Sequence, residues 1–204
     1  MSEKEIFKPG NMLYPLPAVM VSCADKSGKD NILTVAWTGT VCSDPPMLYI
    51  SVRPGRFSHH MIEETGEFVV NLTTEKLARA TDFCGVRSGR DVDKWEETRL
   101  TRKAAVSLQY APAIAECPVN IECKVRKILR LGTHDMFLAD VTGVQVSSRY
   151  MNENGKFELR CGHYWRRGNR MRGSQGTVPL RAVGLCTGKG RGCVLGNIES
   201  QQRH

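Results

Sequence analysis

Asn31-Ile32-Leu33-Thr34-Val35-Ala36-Trp37-Thr38-Gly39-Thr40-Val41 is closed by Ser43-Asp44-Pro45-Pro46 and followed by Met47-Leu48-Tyr49-Ile50-Ser51-Val52-Arg53-Pro54. Successive strand residues point to opposite faces. The alternation predicts a buried face of Leu33, Val35 and Val41 and a second face lined by Thr34, Ala36, Thr38 and Thr40. Asp44-Pro45-Pro46 is turn chemistry with φ fixed twice, so two strands are expected to meet there as a hairpin-like pair. On its own the pattern describes an antiparallel sheet with one wet face.

The continuation, Arg53-Pro54-Gly55-Arg56-Phe57-Ser58-His59-His60-Met61-Ile62-Glu63-Glu64-Thr65-Gly66, gives that face a purpose. Ser58 is a suitable N-cap, Met61, Ile62 and Thr65 fall at helical spacing, and Gly66 suits the left-handed residue past the helix end. A helix that starts just after two arginines brings unpaired N–H groups and two guanidinium groups to one spot. Such a spot binds an anion, most naturally a phosphate.

Outward from this centre the chain reads as short strands. Pro15-Leu16-Pro17 starts a strand over 18–23, and a turn at Asp25–Asp30 leads back into the Asn31 strand. Glu67–Leu72 is another strand. Thr73 or Thr74 can cap a helix from Glu75 to about Phe83, with Leu77 and Ala80 facing inward. Cys84–Thr98 reads as a functional loop because Ser88-Gly89-Arg90-Asp91 joins turn formers to dense charge. Val119, Ile121, Cys123 and Val125 alternate with polar residues, Gly132 bends the chain into a strand over 133–141, and Asn154-Gly155 makes a tight turn. Many short strands with few helices predict a mostly β fold, an antiparallel barrel.

The 204 residues suit one domain, and a 41% hydrophobic content supports a real core. No stretch approaches the length of a membrane span and the start lacks an apolar signal core, so a cytoplasmic location and no membrane association are expected. Eight cysteines in a chain of this size are expected to be reduced thiols. The net charge of +8 is concentrated at one end, where Arg166, Arg167, Arg170, Arg172, Arg181, Lys189, Arg191 and Arg203 face only Glu199. Without interleaved aromatics beyond Trp165, nucleic-acid binding is not expected. Cys161-x-His163 and His59-His60 lack companions at zinc spacing, so no structural metal is expected.

N-x-x-T-x-A-W from Asn31, D-P-P before S-V-R-P, then R-x-S-H before a helix ending T-G-E-F-V-V-N, together resemble the flavin reductase-like family of FMN-binding split β-barrels, in particular its flavoredoxin branch. The resemblance runs from about Tyr14 to about Gly173, which divides the chain into a domain over 1–173 and a basic, glycine-rich extension over 174–204. It implies a homodimer with one FMN per subunit near the subunit interface, and electron transfer involving NADH or NADPH, or an electron-carrier protein. The alternative is a non-catalytic dimer that carries FMN, or a haem through His59 or His134.

FMN needs an anion cradle, a flat bed for its ring and hydrogen bonds to the ring's polar edge; the cofactor itself does the electron chemistry. Ser58 with Arg53, Arg56 and the helix start is the expected cradle, and Ser51, Val52 and His59 are expected to bind the cofactor as well. Trp37 is the bed, flanked by Ala36 and Thr38. Asn31, Thr34 and Asn71 carry groups able to meet the ring edge or ribityl chain. Lys94 occupies the family's D-K position that reaches the cofactor from the loop, His134 lies against it, and Tyr164 or Trp165 supplies an aromatic near the ring. No catalytic acid or base is expected.

Overall fold

The computed structural model describes residues 4–157. Tyr164, Trp165, the boundary at Gly173 and the basic extension lie outside the described residues. The strands are β1 (Val19–Ala24), β2 (Asp30–Val35), β3 (Thr38–Ser43), β4 (Pro46–Val52), β5 (Glu67–Leu72), β6 (Arg102–Lys103), β7 (Ala113–Ile114), β8 (Val119–Arg130) and β9 (Asp135–Val146). The helices are α1 (Phe57–Thr65), α2 (Ala78–Val86) and α3 (Lys94–Thr98).

Seven strands form one antiparallel sheet in the order β2-β1-β5-β8-β9-β4-β3, and β6 pairs with β7. Sequence neighbours β2 and β3 therefore occupy opposite ends of that order. The sheet curls so that Val35 of β2 joins Leu48 and Ile50 of β4 in a single core with Val21, Phe68, Phe137 and the α1 residues Met61 and Ile62. Phe68 and Phe137 are fully buried there. Side chains of this size each contribute about 1.5–3 kcal/mol on leaving water.

Both faces of the sheet are covered, which is why all six residues of β1 are buried. Met20 and Ile32 point outward into a second cluster with Cys84, Trp95, Leu100, Ile114 and Cys117. Two buried glutamates fasten the outer segment to the sheet. Glu67 accepts from the Gln109 and Tyr110 N–H groups at 3.0 and 2.8 Å, and Glu122 accepts from Val106 N–H at 2.9 Å and Ser107 N–H at 2.6 Å. Backbone donors of the covering loop thus find buried carboxylate acceptors.

The Asp-Pro-Pro turn joins β3 to β4 as expected, with Ser43 opposite Pro46. Three expectations are corrected. Val41 is half exposed on the edge strand β3 and shares no buried face with Leu33 and Val35, because the chain corners at Ala36–Trp37 between two separate strands. Thr34 faces α2, where its hydroxyl donates to the Thr81 carbonyl, so the second face of β2 is a packed layer and not a wet one. Cys84–Thr98 is mostly helical: α2 runs to Val86 and α3 starts at Lys94, leaving only 87–93 irregular. Asp93 caps α3 by accepting from Trp95 N–H at 2.8 Å and Glu96 N–H at 3.4 Å. Asp93 followed three residues on by Glu96 is the sequence signal for that start.

Candidate functional site

Helix α1 begins two residues earlier than expected: its N-cap is Arg56, and among the described residues no side chain caps it. Ser58 lies one residue inside the helix, buried, and its hydroxyl accepts from Asn31 Nδ2 at 2.7 Å. The hydroxyl therefore pins α1 to β2 instead of closing the helix end, and the first N–H groups of α1 have no side-chain acceptor. Gly66 ends the helix at φ 68°, donating to the Ile62 carbonyl.

The ladder between β4 and β9 pairs Val52 with Asp135. The next residues outward are Arg53 on one side and His134 on the other, so the strand ends bring these two side by side. Across from them, Ser51 N–H donates to the Trp37 carbonyl at 2.9 Å, joining the β2–β3 corner to the same rim. Thr38 fixes the corner further by donating to the Tyr49 carbonyl at 2.7 Å. The Trp37 and His134 rings face each other with centroids 4.4 Å apart and planes tilted by 34°. The result is a partly buried aromatic wall, with Ala36 at the corner, beside two arginines.

The electrostatics of this rim are one-sided. Burial, and then the charges of Arg53 and Arg56, hold the His134 imidazole below the ordinary histidine range. Burial and Arg53 likewise lower Arg56. Among the described residues neither arginine has a carboxylate partner. Uncompensated, half-buried guanidinium groups beside a helix start are an arrangement that an anion relieves.

Lys94 adds a third cation. It is 3% exposed, and its Nζ donates to the carbonyls of Ile32 at 2.7 Å and Cys84 at 2.8 Å. The amine thus ties β2 to α2 from the first turn of α3, with one N–H remaining. Burial pushes its pKa down to about 8. Four buried thiols shift the opposite way: burial raises Cys23 to about 12, Cys84 to about 11, and Cys117 and Cys123 higher still. An unfolded thiol ionises near 8.5, so above that pH the unfolded state loses protons that the folded state keeps, and stability falls; Lys94 opposes this, because above pH 8 the folded state has already released its proton. The net expectation is a loss of about 2 kcal/mol between pH 7.5 and 9 in chemical denaturation, steepening to about 3 kcal/mol in Lys94→Met. A flat profile would show that these thiols ionise in the folded protein.

The loop 87–93 is latched over the arginines. A Cβ on Gly89 would lie 2.4 Å from Asn31 Oδ1 and 2.7 Å from Phe57 Cδ1, so only glycine admits this approach. Arg90 donates to the Gly55 carbonyl at 3.3 Å and stands over the Phe57 ring. Gly89 and Arg90 were legible only as a loop cluster, and Phe57 carried no signal as a wall of the rim.

Not every expected residue comes to the rim. Asn71 is fully buried between β1, β5, β7 and β8, and all its polar atoms are engaged by the protein. His59 points into the barrel, where Nε2 meets Asp135 at 2.7 Å and the ring stands edge-on to Phe137. With Nε2 committed to Asp135 and Nδ1 facing Glu63 at 3.7 Å, His59 offers no ligand to a haem. Thr34 is occupied with α2. Of the others, Ala36, Trp37, Thr38, Ser51, Val52, Arg53 and His134 lie at or beside the corner and the β4–β9 ends, and Arg56 acts on His134. Asn31, Ser58 and Lys94 are engaged further along β2, Asn31 with Ser58 and Lys94 with the Ile32 and Cys84 carbonyls. Among the described residues no cluster of His, Cys, Asp or Glu could hold a metal ion, and no helix is long and apolar enough to cross a membrane.

Residues 12–169 match the family model described as a flavin reductase like domain. The chain belongs to the flavin reductase-like family. The flavoredoxin of Methanosarcina acetivorans superposes with a TM-score of 0.71 at 30% identity, covering 78% of this chain and 82% of that one. The flavoredoxin of Desulfovibrio vulgaris (Miyazaki F) gives 0.70 at 27% identity over 77% and 84%. An uncharacterised protein of Archaeoglobus fulgidus is 31% identical over 132 residues, 65% of this chain and 73% of its own. The fold is thus the split β-barrel of this family, and the family's role is flavin-related oxidation and reduction.

Proposed function

We propose that this protein is an FMN-dependent oxidoreductase that takes electrons from NADH, NADPH or a reduced carrier protein and delivers them to an acceptor. One observation carries the reading: Arg53 and Arg56, without carboxylate partners among the described residues, stand beside the Trp37–His134 wall where strand ends and the start of α1 meet. The residues fit the cofactor. Arg53, Arg56 and the uncapped start of α1 would hold the phosphate, and Trp37 with His134 would form the bed for the ring. When bound, FMN supplies the electron-carrying chemistry. The side chains bind and orient; no catalytic acid or base is needed, and the gain comes from holding reactants in place. Lys94, Arg53 and Arg56 together favour added negative charge at the rim.

In this reading the working unit is a homodimer. Ile6, Phe7, Met12 and Leu13 of the extended N-terminal segment and Val41 on edge strand β3 expose apolar surface that a second copy would cover. The five described cysteines are all free thiols, in keeping with a reducing, cytoplasmic setting. Titration of the flavin-stripped protein with FMN should quench flavin fluorescence at one FMN per subunit, in a particle of dimer mass by light scattering. Stopped-flow mixing with NADH or NADPH should then reduce the bound flavin faster than free FMN. No quenching at any concentration overturns the reading, and binding without faster reduction reduces it to a non-catalytic FMN carrier.

A further inference from the structure

Behind the rim lies an ion network with His59 and Asp135 buried at its centre and Arg130 and Glu63 at the surface. Asp135 is 3% exposed and receives both His59 Nε2, at 2.7 Å, and Arg130 Nη1. Arg130 Nη2 reaches Glu63, one turn beyond His59 on α1, and Glu63 faces His59 Nδ1 at 3.7 Å, closing a ring of four residues. Two come from α1, one from the end of β8 and one from the start of β9. The ring joins the two chain segments that bear the rim's arginines and its imidazole: Arg53 and Arg56 lead into α1, and His134 precedes Asp135 in the β8–β9 turn. That turn continues from the Arg130–Asp135 pair of the β8–β9 ladder; Leu131 N–H donates to the His134 carbonyl at 3.0 Å, and Gly132 sits at φ 98°.

The chemistry of the pair suits a clamp more than a stabilising device. Taking a carboxylate out of water is costly, and a well-packed apolar pair would be as stable. Burial alone would push the Asp135 carboxyl up, yet the hydrogen bonds from His59 and Arg130 outweigh it and hold Asp135 below the ordinary carboxylate range. Directional, charge-assisted bonds fix an angle and a distance in a way that apolar contact does not.

We infer that the His59–Asp135–Arg130–Glu63 ring sets the spacing between the arginines ahead of α1 and the Trp37–His134 wall, so that one ligand can engage both. His59 and Asp135 are positioning residues: neither touches the ligand. This rests on the flavin reading for the identity of the ligand but not for the clamp itself. A rigid spacing lets a ligand with a ring and a phosphate gain from the second contact without ordering the protein; a loose one forfeits part of that gain.

The test uses Asp135→Asn and, because that residue is buried, Arg130→Gln at a half-exposed site, each measured for binding of FMN and of riboflavin, which lacks the phosphate. Asp135→Asn should cut the preference for FMN over riboflavin about tenfold while riboflavin affinity changes less than twofold, and Arg130→Gln should cut it about threefold. Partial unfolding would weaken both ligands in proportion and leave the preference intact, which overturns the positioning role. Hydrogen exchange on the ligand-free protein gives a second reading. Protection should fall in both 53–59 and 131–136 and hold in 119–125; unchanged exchange in either segment overturns the clamp. If the wild type binds neither flavin but exchange behaves as stated, the flavin reading fails and the clamp stands.

Discussion

Replacing Arg53 and Arg56 together with alanine is expected to weaken FMN binding about a thousandfold while leaving riboflavin affinity within about threefold. Each guanidinium would donate charge-assisted hydrogen bonds to the phosphate, and such bonds are worth about 1.5–3 kcal/mol apiece. Two of them therefore supply about 4 kcal/mol, close to three decades of affinity. Riboflavin carries the same ring without the phosphate, so it reads the Trp37–His134 wall alone.

Stability should move little, and in the favourable direction. The ligand-free rim holds two guanidinium groups whose mutual repulsion and burial lower Arg56, with no carboxylate in compensation among the described residues. Removing both relieves that penalty, so the thermal midpoint of the apo-variant should match or exceed the wild type. His134 should also become easier to protonate, because burial and the same two charges depress it. Equal loss of FMN and riboflavin would show that the arginines support the rim's shape and do not bind phosphate. An unchanged FMN affinity would place the phosphate elsewhere.

What could be read from the chain depended on how local the deciding contacts were. The turn at Asp44-Pro45-Pro46 and the end of α1 at Gly66 are set within a few residues, and both match. The alternation of β8 holds only in part, because Asn120 and Glu122 on its polar face are buried under the outer segment, where Glu122 accepts from Val106 and Ser107 N–H. That Arg53 lies beside His134 follows from the β4–β9 ladder, which pairs Val52 with Asp135; the chain showed the arginines before a helix and the histidine before a strand but not their meeting. Residues whose side chains could face ligand, water or core were misread where a distant segment decides. Thr34 looked like a lining residue until α2 packed on it. His59 was recoverable: it lies three residues before Ile62, on the same buried stripe of α1, and a polar side chain there must find a buried partner. The approach of Gly89 to Asn31 depends on where α3 lands and left no pattern to find.

Asn71→Leu should destabilise the folded protein by about 4 kcal/mol without changing the affinity of the remaining folded fraction for flavin. The amide sits in the strand run Glu67-Phe68-Val69-Val70-Asn71-Leu72, whose other residues pair regularly with β1 and β8. Its Nδ2 donates to the Met20 carbonyl at 3.1 Å, the Ser22 hydroxyl at 2.9 Å and the Val69 carbonyl at 3.1 Å, while Oδ1 accepts from Ile114 N–H at 3.1 Å and Asn120 Nδ2 at 2.8 Å. Asn120 retains the Ile114 carbonyl at 2.9 Å, so one partner survives the substitution in part. The Ile114 N–H has no such second acceptor, and burying an unsatisfied donor costs about 1–3 kcal/mol. Leucine is also branched where the amide is flat, in a site with no exposed surface, which adds overpacking of about 1–3 kcal/mol. The contrast with the arginines is the useful part: stability without binding for Asn71, binding without stability for Arg53 and Arg56. Urea denaturation paired with flavin titration on both variants separates the two. A folded Asn71→Leu protein of normal stability that loses flavin would return this amide to the cofactor and show that the ligated protein opens the seam between β1, β5 and β7.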